Sequence, residues 1–240
     1  MGVRAEWRGS DRVRILMVAA VAALLAGVLS VHVASCDSIT YSDSYGPDKA
    51  GWTGSLSFPE FNPSYGTLTA IVFEMTGTVQ GWEQVENLGP IGAYITADLT
   101  ATIDLSRPNG TLIVETIPLN EQVFYTYAWD DPTYNYVGTD SGSAFGLSAE
   151  DVESATLSSL GDLNLFTGTG SIDLPVASSG QSTASGPGNM QSQFATLAGA
   201  DVTVTYEYDA APTPEFCSAA LVGLSVLPAA GLVRRRRRRF

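Results

Sequence analysis

Apolar and polar residues alternate along much of the chain between positions 37 and 211, and patterns with the period of a helix are scarce. The clearest alternation covers positions 201–209, where valines and tyrosines at every second position face one way and polar residues face the other. Positions 94–104 repeat it with isoleucine, alanine and leucine against threonine and aspartate. A strand with one buried face and one wet face produces this pattern, so both segments are predicted to be strands of antiparallel sheets.

Further segments carry strand signals, and turn residues separate them. Segment 68–79 is apolar on both faces in its first half, which predicts a central strand. The other candidate strands are 112–117, 123–127, 171–176 and 193–197. The sequence Arg107-Pro108-Asn109-Gly110 predicts a hairpin, because proline presets one turn position and Asn-Gly tolerates positive φ.

Helical signals are limited to one short segment. Ser158 or Ser159 is predicted to cap a turn that runs to Phe166 and ends at Gly168. The glycine- and serine-rich segment 177–192 is predicted to be a loop or an irregular edge strand. Many short strands with few helices are typical of sandwiches. The pattern therefore predicts an all-β fold, a single antiparallel β-sandwich of the jelly-roll or immunoglobulin-like type, at positions 37–211.

The first 35 residues have the order of a secretory signal peptide. A basic leader precedes an almost wholly apolar run at positions 15–31, and the small residues Ala34 and Ser35 follow. The basic residues of the leader are Arg4, Arg8, Arg12 and Arg14. A retained N-terminal membrane helix is the alternative interpretation, because the apolar run is somewhat long for a signal.

The residue after this segment is Cys36, and its context leaves two fates open. Val33-Ala34-Ser35-Cys36 resembles the lipobox of bacterial lipoproteins, in which the cysteine becomes the lipid-modified first residue of the mature chain. Ordinary cleavage near Ala34 or Ser35 is the other interpretation. The second cysteine, Cys217, lies beside the C-terminal apolar segment. A disulfide framework is therefore not expected, and the exported domain needs a hydrophobic core.

The segment 212–240 predicts a transmembrane helix with an arginine-rich end. An apolar stretch of 18 residues runs from Phe216 to Val233, and six arginines follow at positions 234–239. At a rise of ~1.5 Å per residue the stretch reaches about 27 Å, close to the ~30 Å core of a bilayer. Arginines directly behind such a stretch stay on the cytoplasmic side. A basic tail that binds nucleic acid is the alternative, but such tails rarely follow a membrane-length apolar run.

Charge is distributed very unevenly between these regions. Of 12 basic residues, only Lys49 and Arg107 fall within positions 37–211, against 22 of the 25 acidic residues, which gives that segment a net charge of about −20. Such a domain repels nucleic acid and anionic lipid and attracts cations or basic surfaces. Simple solubility outside the cell is the competing explanation of this charge.

Catalytic signatures are nearly missing from the sequence. The single histidine, His32, lies at the end of the leader, which removes histidine-based triads and metal sites from the mature domain. No phosphate-binding glycine loop or dinucleotide fingerprint occurs. A glycosidase needs only two carboxylates about 5–10 Å apart, but no spacing singles out a pair. We therefore predict no catalytic residues and no enzymatic activity, with a carboxylate-dependent hydrolase as a remote alternative.

One tyrosine-rich loop is the candidate ligand site. Trp129, Asp130, Asp131 and Asp140 lie in or beside segment 125–136. Clustered carboxylates suit calcium, and aromatic rings stack on sugar faces, although no Asp-x-Asp-x-Asp loop is present. Three interpretations stay open: a calcium loop, a sugar-binding loop, or a solvated acidic loop over packed aromatics. Calcium is the one cofactor considered.

Three segments resemble a known family. These are Ser55-Leu56-Ser57-Phe58-Pro59-Glu60-Phe61-Asn62-Pro63-Ser64-Tyr65-Gly66-Thr67-Leu68-Thr69, then Phe166-Thr167-Gly168-Thr169-Gly170, and then Val202-Thr203-Val204-Thr205-Tyr206. They are similar to the opening, middle and closing elements of the choice-of-anchor E domains, and the resemblance spans nearly all of positions 37–211. It implies a bacterial surface protein whose β-rich domain is joined to an exchangeable sorting tail.

The C-terminal segment resembles the PEP-CTERM sorting signal, which joins a Pro-Glu-Pro motif to a membrane helix and an arginine-rich end. Here Pro214-Glu215-Phe216 stands for the motif, with phenylalanine in place of the second proline, and Arg234, Arg235 and Arg236 begin the basic end. The resemblance implies an exosortase-type transpeptidase as processing partner.

The leading hypothesis is accordingly a non-enzymatic protein of the cell surface or exopolysaccharide matrix. It is exported, and it is held at least transiently in the inner membrane. A carbohydrate-binding module that uses the Trp129 region is the second hypothesis.

Overall fold

The computed structural model describes residues 36–130 and 133–211, without the side chain of Cys36. The predictions for the signal segment 1–35 and the sorting segment 212–240, including Pro214, Glu215, Phe216 and the arginines, lie outside the described residues. Lipidation of Cys36 is likewise untested, and so is the place of Asp131.

Strands dominate the described residues, which contain ten of them and one short helix. The strands are β1 (Cys36–Lys49), β2 (Thr53–Pro59), β3 (Gly66–Asn87), β4 (Ala93–Ser106), β5 (Leu112–Thr116), β6 (Leu119–Thr126), β7 (Ser141–Leu157), β8 (Ser171–Gly180), β9 (Thr183–Ser185) and β10 (Met190–Ala210). The helix α1 spans Leu160–Leu165. Within the described ranges, this helix is far too short to cross a bilayer, and no other helix could do so.

The strands form two antiparallel sheets. The first has the order β1-β10-β3-β7. The second has the order β2-β8-β4-β5, with β6 and β9 paired to the N-terminal half of β4. Both β3 and β10 exceed 20 residues and pair along almost their whole length. The prediction that segment 68–79 is a central strand is confirmed, because β3 lies between β10 and β7.

The main core lies between the two sheets and takes side chains from both. The first sheet contributes Ile71, Phe73, Met75, Val202, Val204 and Tyr206, and the second contributes Leu56, Phe58, Leu99, Ile103, Leu174 and Val176. A smaller cluster of Val85, Ile95 and Ala97 continues the core toward the other end of β4. The prediction of an all-β sandwich is confirmed at this level.

The alternation at the two clearest strands matches their burial. In β4, every predicted inward side chain from Ile95 to Ile103 is fully buried, while the intervening residues are partly exposed. In β10, Val202, Val204 and Tyr206 are buried and Tyr208 is half-buried. The Tyr206 hydroxyl donates to the Pro59 carbonyl at 2.9 Å, and that bond satisfies its one buried polar atom. Burial raises the pKa of this phenol far above its ordinary value.

The predicted hairpin and helix both form, and one ion pair ties them together. The Gly110 amide donates to the Arg107 carbonyl at 2.8 Å between β4 and β5. Ser159 caps α1 by accepting from the Asp162 amide, as expected from its position before the helix. Arg107 Nε and Nη2 donate to the two oxygens of Asp162 at 2.7 and 3.2 Å. This hydrogen-bonded guanidinium holds the pKa of Asp162 below its usual range.

One sequence prediction needs correction, and the structure decides between the two alternatives of another. The helix ends at Leu165 with Phe166 as its C-cap, so it is shorter than the segment ending at Gly168. Segment 177–192, predicted to be a loop or an irregular edge strand, follows the second alternative: β8 continues to Gly180, the three-residue β9 (183–185) pairs with β4 alone among the described strands, and β10 begins at Met190. Small polar residues there can join a ladder because backbone groups, and not side chains, make its hydrogen bonds.

Candidate functional site

A row of exposed tyrosines lies on the outer face of β4 and β6 and continues just past the end of β6. Tyr94 and Tyr125 are directly opposite in the register of the two strands, and Tyr127 follows two residues after Tyr125. Their ring centroids lie 5.0 Å apart for Tyr94–Tyr125 and 5.3 Å apart for Tyr125–Tyr127, both edge to face. Each of the three side chains is more than half exposed. We call these three residues the tyrosine row.

The same alternation that buries the core exposes this row. Ile95 points into the small core cluster, where Phe124 packs against it, so their neighbours Tyr94 and Tyr125 must face outward. Val123 continues the row along β6 and is 58% exposed. Gly92 leaves room for the Tyr125 hydroxyl, because a Cβ at that position would lie 2.7 Å from it. The result is an exposed aromatic surface on the outer face of the sheet.

A second aromatic pair stands on the loop that follows β6. Trp129 and Tyr134 stack with their ring planes 8° apart and their centroids separated by 6.3 Å. Trp129 is 42% exposed and Tyr134 is 62% exposed. The Trp129 amide donates to the Gly89 carbonyl at 2.9 Å, and that bond fixes the start of the loop. The predicted ligand residue Trp129 therefore lies at the surface beside Tyr134.

A fully buried asparagine holds the base of this loop. The Asn87 side-chain amide donates to the carbonyls of Ile91 and Tyr127, both at 2.8 Å, and its oxygen accepts from the Gly89 amide. Its main-chain amide donates to the carbonyl of Asp140 at 2.8 Å. Every polar group of this side chain that can bond to the loop does so, which makes Asn87 an anchor for both ends of the loop.

Glu86 anchors the middle of the loop. Its carboxylate is fully buried and accepts from the Asn135 and Tyr136 amides, each at 3.4 Å. Tyr136 has a φ of 55°, which is uncommon for a residue other than glycine, and its hydroxyl accepts from Gln191 at 2.8 Å. The loop is thus held from below by β3 and β10. Neither anchor was identified from the sequence, because a polar residue at the end of a strand gives no signal of burial.

The predicted acidic residues Asp130 and Asp140 come together. The Asp140 carboxylate is fully buried, and its Oδ2 accepts from the Asp130 amide at 3.3 Å. The Asp130 side chain is exposed, and its Oδ2 accepts from the Thr139 hydroxyl at 2.9 Å. Both carboxylates border Gly138. Across residues 36–130 and 133–211, no group of three or more histidine, cysteine and acidic side chains is arranged to hold a metal ion.

One buried carboxyl group lies away from this loop. Glu83 on β3 is fully buried, and neither of its oxygens has a hydrogen-bond partner. Burial, and secondarily the charge of Asp98, raises the pKa of Glu83 to about 7. The sequence placed no acidic residue in the core, because in an alternating strand a polar residue normally marks the solvent side.

An open depression between β1 and β10 also carries carboxylates, from Asp43 and Asp201. The Asp43 oxygens accept from the Ser44 and Ser57 amides, both at 2.9 Å. These bonds hold the Asp43 side chain to neighbouring backbone. Asp43 therefore has a structural role between β1 and β2.

Comparisons with known proteins do not identify the chain. Neither a scan against protein-family models nor a search of curated proteins finds a match. Among solved structures, latent PorU from Porphyromonas gingivalis is similar at 14% identity and a TM-score of 0.30, over 77% of this chain and 14% of that one. The VP2 subviral particle of infectious bursal disease virus has 14% identity and a TM-score of 0.24, over 87% of this chain and 53% of that one. The chain thus spans a minor part of the first and about half of the second.

A third solved structure is the CBM2 module of the evolved Dit of Lactobacillus casei BL23 phage J-1. It has 11% identity and a TM-score of 0.22, over 66% of this chain and 71% of that one. These likenesses are too distant to carry an argument about fold or function.

Proposed function

We propose that this chain is an exported, non-enzymatic protein of the bacterial cell surface or exopolysaccharide matrix. Its support is the order of segments in the sequence: a signal-like leader, a β-rich segment of net charge about −20, and an apolar stretch with a basic end. The proposal includes processing by an exosortase-type transpeptidase near Pro214 and Glu215, and transient retention in the inner membrane. It also includes the assignment to the choice-of-anchor E type and to a jelly-roll or immunoglobulin-like sandwich.

Export and processing are tested by intact mass spectrometry of the protein taken from the native cell envelope. We expect a chain that starts near position 36 and lacks the apolar stretch and the arginines. Added lipid mass on Cys36 would decide between its two fates. A full-length chain recovered from the cytoplasmic fraction would end the export proposal.

The same surface protein is proposed to contact polysaccharide through its exposed aromatic side chains. The observation that supports polysaccharide contact is the tyrosine row, whose three rings are more than half exposed on the outer face of β4 and β6 and just past the end of β6. Exposed aromatic surface on a soluble domain marks a contact site, and a tyrosine offers both an apolar face and a hydroxyl. Sugar rings present the matching combination of apolar C–H faces and hydroxyl groups. Trp129, two residues after Tyr127 in the chain, stacks with Tyr134 and adds a second aromatic element.

Polysaccharide binding is tested on a glycan array and then by affinity electrophoresis in gels that contain the exopolysaccharide of the source cells. Tyr125→Ala and Trp129→Ala are each expected to weaken binding roughly five- to tenfold, about 1–1.4 kcal/mol. Phe145→Ala is the control, since Phe145 is an exposed aromatic residue on β7 in the other sheet. If no glycan binds, or if the control variant loses as much affinity, polysaccharide contact is wrong while the export proposal still stands.

A further inference from the structure

A buried carboxylate oxygen lies unpaired at the base of the loop that carries Trp129. Asp140 immediately precedes β7 and is fully buried, and its Oδ1 has no hydrogen-bond partner among the described residues. Its other oxygen makes one long bond, 3.3 Å, with the Asp130 amide. A buried carboxylate oxygen without a partner carries a large desolvation cost, which a proton or a cation would offset.

The Asp130 carboxylate converges on the same small volume. The point where a Cβ on Gly138 would lie is 3.2 Å from Asp140 Oδ1 and 3.4 and 3.5 Å from the two oxygens of Asp130. Gly138 has a φ of 105°, a conformation that side chains disfavour. Three carboxylate oxygens from two residues therefore lie within 3.5 Å of one point that the backbone leaves free of any side chain.

The basic side chains of positions 37–211 do not explain why the carboxylates of Asp130 and Asp140 lie together. That segment has only two basic residues, Lys49 and Arg107. Arg107 is bonded to Asp162, and Lys49 lies at the end of β1, where it pairs with Leu197 of β10. Like charges this close repel strongly unless a counter-charge lies between them. With a domain charge of about −20, a small cation from solution is the available counter-charge.

We propose that Asp130 and Asp140 bind one calcium ion, which fixes the loop between β6 and β7. Calcium takes six to eight oxygen ligands at 2.3–2.6 Å with flexible geometry, so two carboxylates can be completed by main-chain carbonyls and water. Magnesium demands stricter octahedral geometry and retains its water, so it fits less well. The ion would hold the two ends of the loop together, and with them Trp129. The calcium site does not depend on the polysaccharide contact, and its test reads the metal alone.

The test is a calcium titration of the purified full chain in detergent, after EDTA treatment, followed by calorimetry and thermal unfolding. We expect one ion per chain, with half-saturation at about 0.1–1 mM, the range of extracellular calcium modules, and a higher Tm. Magnesium is expected to bind at least about tenfold more weakly. Asp140→Asn keeps the shape of the side chain, and it is expected to lower calcium affinity at least about tenfold.

Two further variants provide a second test of the calcium site and a control. Asp130→Asn changes an exposed side chain, so it decides the question if Asp140→Asn fails to fold. Asp173→Asn removes an exposed carboxylate on β8 and is expected to bind calcium like the original protein. The proposal is overturned if calcium produces neither heat nor a Tm shift. It is also overturned if Asp130→Asn binds normally, or if Asp173→Asn loses as much affinity as the other variants.

Discussion

At the scale of single residues, the carboxyl group of Glu83 links protonation to stability. It lies in the core on β3 without a hydrogen-bond partner within the described ranges, and burial raises its pKa from 4.5 to about 7. The folded state therefore holds this proton more tightly than the unfolded state. Its contribution to stability is fully present below about pH 4.5 and is lost as the pH rises through about 7.

Replacing Glu83 with glutamine removes this titration. At pH 8 the Glu83→Gln variant is expected to be more stable than the original protein by on the order of 1–3 kcal/mol, a range that allows for screening by solvent. At pH 4.5 the two proteins should be nearly equal, because Glu83 is then protonated when folded. Urea unfolding at pH 4.5, 6 and 8 measures the difference. Glu150→Gln, at an exposed position on β7, is the control, and an unchanged pH slope in Glu83→Gln would contradict the prediction.

At the scale of the elements, one glycine sets how closely the two sheets approach. A Cβ on Gly77 of β3 would overlap the hydroxyl of Thr116 on β5, and it would lie 3.2 Å from Cδ1 of Ile103 on β4. Thr116 is fully buried and cannot move away into solvent. The contact between the sheets at this point therefore requires a residue without a side chain.

The Gly77→Ala variant is expected to lose about 1–3 kcal/mol of unfolding free energy, since overpacking forces side chains or backbone to shift. Gly188→Ala is the matched control, because nothing lies within 4 Å of a Cβ at that position. Its stability should stay within about 0.5 kcal/mol of the original. Chemical denaturation of both variants measures the effect, and equal stability of the two would show that the sheets can separate at no cost.

The salt bridge between Arg107 and Asp162 ties α1 to the turn between β4 and β5. Because the partner guanidinium lowers the pKa of Asp162, this carboxylate stabilises the fold above its ordinary pKa, and the contribution is lost as the pH falls through the lowered value. Asp162→Asn keeps the shape of the side chain and is expected to cost about 1 kcal/mol at pH 7. The loss should shrink toward zero in strong acid. A cost that does not change with pH would show that the ion pair is not its cause.

Individual strands show how much of the fold can be predicted from the sequence. Strands such as β4 and β10 have one buried and one exposed face, and their alternation identified them. By contrast, β7 is an edge strand with a single buried residue, Leu157, and its other residues alternate only between half-buried and exposed. Asp151 is half-buried while Val152 is exposed, so the sequence of β7 shows no clear alternation of apolar and polar residues. The residues of the candidate site likewise divide into those that the sequence identified and those that it did not. Trp129, Asp130 and Asp140 were identified by residue type, whereas their anchors Asn87 and Glu86 depend on contacts with a distant loop that no local pattern encodes.

At the scale of the whole molecule, electrostatic repulsion between acidic residues opposes the compact fold. The segment 37–211 carries 22 acidic and two basic residues, and mutual repulsion among these charges favours expansion. Burial between two sheets opposes it, with the core clusters running from one end of β3 to the other. The order of strands in the sheets, with β10 between β1 and β3, joins segments far apart in the chain, which is why alternation alone could not predict it.

This balance predicts a salt response that separates screening from specific binding. Raising NaCl from about 0.01 M to about 0.15 M shortens the Debye length from roughly 30 Å to roughly 8 Å, so Tm at pH 8 should rise by several degrees. KCl at the same ionic strength should act equally, because screening does not depend on which monovalent cation is present. CaCl2 at matched ionic strength should raise Tm further in the original protein but not in Asp140→Asn, which lacks one of the two carboxylates that border Gly138. A fall in Tm with NaCl would mean that favourable ion pairs outweigh the repulsion. That outcome is hard to reconcile with a domain in which Arg107 and Lys49 are the only basic residues.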